Sequence, residues 1–112
     1  MNPKLAYVDH MPMKSFLEAL ARAGIDFKPR CDGKPHDSIK SFKTQNDFQD
    51  FFVFLCHPGL SGQAKFEKVV QEYPHLKSAM ITNLGYEYCE PDILIFDYKR
   101  PESVIKWILE NQ

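Results

Sequence analysis

Phe51-Phe52-Val53-Phe54-Leu55-Cys56-His57-Pro58-Gly59-Leu60-Ser61-Gly62 decides how this chain is read. An unbroken apolar run stops at a Cys-His pair, turns at Pro-Gly and passes through small residues into a helical pattern. The run is far short of the roughly 20 residues that a membrane span needs. Being apolar throughout, it suits a strand buried on both faces, as in the middle of a parallel sheet. Open α/β sheets place their chemistry in the loops at the carboxyl ends of such strands. Cys56 and His57 therefore either act there or fill space.

Outward from that stretch, strands and helices alternate. Lys4 to Val8 reads as a first buried strand ending at Asp9, which can cap the next helix, with Pro12 near its first turn. Met13, Phe16, Leu17 and Leu20 make an apolar stripe, and Gly24 suits the helix end. Ile25 to Lys28 reads as a second strand stopped by Pro29. Residues 29–47 hold a loop marked by Pro29, Gly33 and Pro35. A short, weak helix carrying Ile39 and Phe42 follows, with Asp37 or Ser38 as its cap. Phe66, Val69, Val70 and Tyr73 mark the clearest amphipathic helix, ended by Pro74. Leu76 to Ile81 reads as a fourth strand. Leu84 to Pro91 is too short and too aromatic for a full surface helix. Asp92 to Phe96 reads as a fifth strand, and Pro101 opens a last helix striped by Val104, Ile105, Ile108 and Leu109.

This β-α alternation implies right-handed crossovers and a parallel sheet covered on both sides. Five strands predict the flavodoxin-like order 2-1-3-4-5 in a single domain over 1–112, with the fourth helix shortened or missing. Strand ends carrying Asp9-His10, Cys56-His57, Thr82-Asn83 and Asp97-Tyr98 then share one edge of the sheet.

Composition excludes several classes. The 112 residues suffice for one core, and 44% hydrophobic with 26% charged residues is ordinary for a soluble globular protein. A net charge of -1 with scattered basic residues gives no reason to expect nucleic-acid binding. No signal peptide or membrane segment is visible. Cys31, Cys56 and Cys89 form no close pairing motif and read as reduced thiols in a cytoplasmic protein.

Over nearly its whole length the chain resembles a response-regulator receiver domain. Val8-Asp9-His10-Met11-Pro12 is similar to the family's acidic pair after strand 1, with His10 in the second place. Pro58-Gly59-Leu60-Ser61-Gly62 is similar to the loop after strand 3. Thr82 stands at the place of the switch Ser/Thr, and Phe96-Asp97-Tyr98-Lys99-Arg100-Pro101 resembles the end of strand 5. The resemblance puts Phe54 at the phospho-accepting aspartate, or Cys56 if the alignment slips by two. At the strand-5 lysine it puts Asp97, with Lys99 two residues away.

Receiver chemistry needs several oxygen ligands for Mg²⁺, and of these only Asp9 is kept. The resemblance thus implies a degenerate, pseudo-receiver member without cofactor. It would be a phosphorylation-independent protein-protein interaction module in bacterial signalling or regulation, not an enzyme. Its partner would be another protein or a second copy of itself. Tyr86, Tyr88, Lys99 and Trp107 are the candidate contact residues. Trp107 also suits packing at the edge of the core.

Two other readings start from the residues. One is a thiol- or metal-dependent enzyme on Cys56 and His57. A helix N-terminus could lower a thiol pKa, and His10, His57, Asp9 and Asp97 are metal-compatible types. Yet adjacent strand residues face opposite ways, and no pair has fixed helical spacing. The other is a small-ligand binder at the strand-end crevice, for which no G-x-G-x-x-G or P-loop is present. Against each stands a structural use: Asp9 as a cap, Cys56 as a small buried hydrophobe, and Thr82 as an ordinary strand-end residue.

Overall fold

A computed structural model describes residues 4–9, 14–31, 39–40, 42–44, 46–57, 63–82, 88–90 and 93–111. Its elements are β1 (Lys4–Asp9), α1 (Lys14–Arg22), β2 (Asp26–Cys31), a 3₁₀ turn (Phe48–Asp50) and β3 (Val53–Cys56). These are followed by α2 (Gln63–Glu72), β4 (Lys77–Thr82), β5 (Tyr88–Glu90), β6 (Ile93–Asp97) and α3 (Pro101–Glu110). Helical backbone also occurs at residues 39–40 and 42–44, where Ile39 and Phe42 are buried.

The sheet order is β2-β1-β3-β4-β6-β5. The first five of these are mutually parallel, which is the flavodoxin-like 2-1-3-4-5 order expected from the sequence. The sixth strand is additional. Tyr88–Glu90 pairs antiparallel with β6, Cys89 opposite Leu94. It lies where the sequence suggested a degenerate helix. Tyrosine favours strands, and only Pro91 and Asp92 separate β5 from β6, short enough for an antiparallel return.

Strand alternation builds two cores. In β1, Leu5 and Tyr7 join the cluster under α1 and α3, with Phe16, Leu20, Leu55, Val104 and Ile108. Ala6 and Val8 join the opposite cluster with Ile39, Phe42, Phe54, Phe66 and Val69. A central strand feeding both cores must be apolar at every position, and Val53 to Cys56 is completely buried. The run is one residue less uniform at its start. Phe52 is 45% exposed, while its backbone still bonds to Lys4 and Lys77. The 3₁₀ turn before it, capped by Asp47 through Gln49 N–H, sets Phe51 inward and Phe52 outward.

One punctuation mark reads differently in three dimensions and another reads as expected. Pro29 does not stop β2 but sits within it, opposite Tyr7. β2 is an edge strand, where a residue lacking N–H is tolerated. Gly24 does end α1, with φ +75°. Its N–H bonds to Ala21 and that of Ile25 to Leu20, the paired closure of a Schellman motif, with Ile25 and Leu20 both in the core. Leu109, assigned to the apolar stripe of α3, is 39% exposed; Val104 and Ile108 carry the burial.

Strand order also separates the thiols. Cys31, Cys56 and Cys89 lie on β2, β3 and β5, at least two strand spacings of about 4.8 Å apart, beyond the ~7 Å that a disulfide can span.

Phe52 and Phe54 form a matched test. Replacing Phe54, which stacks on Phe66 with centroids 5.5 Å apart, by alanine should cost about 3–5 kcal/mol in urea unfolding. Phe52→Ser should change stability by about 0.5 kcal/mol or less. Equal costs would contradict the register.

Candidate functional site

The carboxyl ends of β1, β3, β4 and β6 meet at one edge, and register fixes their levels. Val8, Cys56 and Met80 stand side by side, and Thr82 stands beside Asp97. Asp9, Cys56, His57, Thr82 and Asp97 thus share the edge predicted for them. Phe54 does not. It lies two residues deeper, opposite Ala6 and Ser78, packed edge-on against Phe48 and stacked on Phe66. Cys56 is therefore the residue that ends β3.

The sheet divides this group. Tyr7, Asp9 and His57 lie on the α1/α3 side. Asp9 is 1% exposed, and a carboxylate so placed needs donors. Tyr7, two residues back on the same face, donates to Asp9 Oδ2 at 2.5 Å. Tyr98, from beyond β6, donates its hydroxyl to the same oxygen. Phe16 of α1 packs on both phenols, with centroids 5.6 Å from Tyr7 and 5.9 Å from Tyr98. The His57 ring lies 5.8 Å from that of Tyr98, and His57 Nδ1–H donates to the Ile81 carbonyl at 2.8 Å. A carbonyl only accepts, so the proton is on Nδ1. Asp9 is thus a clamp between two tyrosines.

Cys56 faces the other way, into the α2-side cluster, and is completely buried. Burial, and then the charge of Asp9, push its thiol well above the ordinary range. A reactive thiolate needs the reverse, and the neighbouring imidazole is held on the opposite face. Thr82 Oγ1 is also buried and meets no hydrogen-bond partner among the described residues. Asp97, 1% exposed, accepts from Lys99 N–H at 2.9 Å, while its carbonyl accepts from Arg100 N–H. It builds the turn that delivers Pro101 to the first position of α3. Among the described residues no group of three or more His, Cys, Asp or Glu side chains is arranged to hold a metal. No helix among them is long and apolar enough to cross a membrane.

The remaining candidates scatter. His10 and Tyr86 lie outside the described residues, and Tyr88 is placed only as β5 backbone. Lys99 is exposed in the turn after β6. Trp107 packs on Phe96, with centroids 5.4 Å apart, which is the edge-of-core use. Sequence reading did not single out Tyr7 and Tyr98 as partners of Asp9. The spacing of Tyr7 and Asp9 was a signal, since residues two apart share a strand face. The Tyr98 contact spans 89 positions, and no local pattern encodes it.

Burial and the neighbouring Asp9 raise both phenols far above their ordinary value. A folded-state pKa above the unfolded one favours folding below the unfolded pKa of about 10, and that contribution is lost as pH rises further. Absorbance at 295 nm should show Tyr7 and Tyr98 still protonated above pH ~10 while the chain stays folded, with stability falling over that range. Cys56 should resist a disulfide reagent until urea unfolds the chain. Rapid modification of Cys56 in the native state would contradict its placement.

No family model, curated protein or solved structure matches this chain.

Proposed function

We propose that the chain is a receiver-like interaction module that acts without aspartyl phosphorylation. One observation carries this reading. The acid at the end of β1, in the position a receiver uses for its cation, is buried and shares one oxygen between two phenol donors. Holding Mg²⁺ there would require further oxygen ligands beside this one buried acid. At the end of β3, where a receiver's nucleophilic carboxylate would attack phosphorus, stands a buried neutral thiol, Cys56.

The supporting order of strands is a fold-level analogy and not a function by itself. What remains for such a fold is binding through its outer surfaces. The function is then set by a partner and not by an occupied phosphorylation pocket.

Beryllofluoride with Mg²⁺ mimics an acyl phosphate and tests this directly. The amide spectrum of the labelled chain should keep Val8, Asp9, Cys56 and Thr82 unshifted through the titration. Localised, saturable shifts at those residues would overturn the proposal.

A further inference from the structure

A second surface lies away from the strand ends. The helical segment carrying Ile39 and Phe42 runs beside α2, and the groove between them encloses about 410 Å³. That is within the ~300–1,000 Å³ of ordinary binding clefts. Its floor is apolar, formed by Ile39 and Val69, both buried. Its walls are cationic: among the described residues, four lysines and one carboxylate, that of Glu72, line it.

The arrangement follows from helical spacing. Lys65, Lys68, Val69 and Glu72 recur at three- and four-residue steps, so they share one face of α2. Lys40 and Lys43, three apart, bring the opposing wall. Lys43 is engaged across the groove, 3.3 Å from Glu72, and lies over the Tyr73 ring at 6.0 Å. That pair ties the walls together and engages Glu72, the one carboxylate among the described lining residues. Gathering like charges around one groove is unfavourable in isolation. It becomes favourable when an acidic partner enters. The whole chain carries a net charge of -1, so the positive charge is a local feature.

We propose that this groove docks an acidic peptide segment of a partner protein, its carboxylates meeting Lys40 and Lys68 and one apolar side chain resting over Ile39 and Val69. The apolar floor favours a peptide over a nucleic acid, as do the absence of arginine and of any aromatic stacking platform among the described lining residues. The proposal rests on the reading of the chain as an interaction module and names the partner chemistry.

Fluorescence anisotropy of a labelled peptide of pattern Glu-Asp-Leu-Phe-Glu-Asp, titrated with the full chain, tests it. Binding should saturate and weaken with added salt. It should fall by about tenfold or more for the amide peptide Gln-Asn-Leu-Phe-Gln-Asn and for the double variant K40E/K68E, whose exposed positions should leave folding intact by circular dichroism. Amide shifts on peptide binding should fall on residues 39–44 and 63–72. Absence of binding, unchanged affinity in K40E/K68E, shifts confined to the β4–β6 side, or tighter binding of a short single-stranded oligonucleotide at the same lysines would each overturn the groove. The two proposals fail separately. Peptide failure with a silent beryllofluoride titration removes the groove alone. Beryllofluoride shifts with intact peptide binding remove only phosphorylation independence.

Discussion

A carboxylate at the end of a central strand cannot be left dry. Asp9 is buried, and its Oδ2 accepts from Tyr7 on its own strand and from Tyr98 beyond β6. Two strands, β3 and β4, stand between β1 and β6 in the sheet. The second bond therefore spans the strand ends from β6 to β1 and draws the turn before α3 over β1. Phe16, seated against both phenols, adds α1 to the same cluster. Much of the α1/α3 side is held in register by this one acid.

The same clamp decides what the strand ends can do. Alternation along β1 and β3 sends Asp9 and Cys56 to opposite faces, each into its own core. Chemistry at a switch point needs convergent groups that solvent and ligand can reach. Here the acid is capped, the thiol is enclosed, and the imidazole spends its Nδ1 proton on a backbone carbonyl. Asp97 builds a turn. The edge carries the right kinds of residue, but their hydrogen bonds are directed inward.

The fold was largely legible because it rests on periodicity. The uniformly apolar run at β3, the stripes of α1 and α2, Gly24 and Pro101 each declare themselves locally. Three features did not. Pro29 continues its strand because β2 is an edge, and edge status belongs to the whole sheet. Phe52 turns outward because of a 3₁₀ turn that Asp47 caps. Tyr88–Glu90 forms a strand because β6 offers it an unpaired neighbour. The site was legible in membership and not in wiring. The crowding of Asp9, Cys56, Thr82 and Asp97 at one edge follows from strand order. Which way each points follows from parity and from contacts between residues far apart in the chain, as Tyr98 and Asp9 show.

The central claim is that Asp9 is a structural clamp. A double-mutant cycle of Asp9→Asn and Tyr98→Phe, read by urea unfolding, tests it most directly. The clamp predicts that Asp9→Asn costs about 1–3 kcal/mol, since it disturbs buried phenol donors. It also predicts a coupling of roughly 1 kcal/mol or more between the two sites. An Asp9→Asn variant as stable as the parent, with effects additive to within about 0.5 kcal/mol, would contradict it and return Asp9 to the list of groups kept for chemistry.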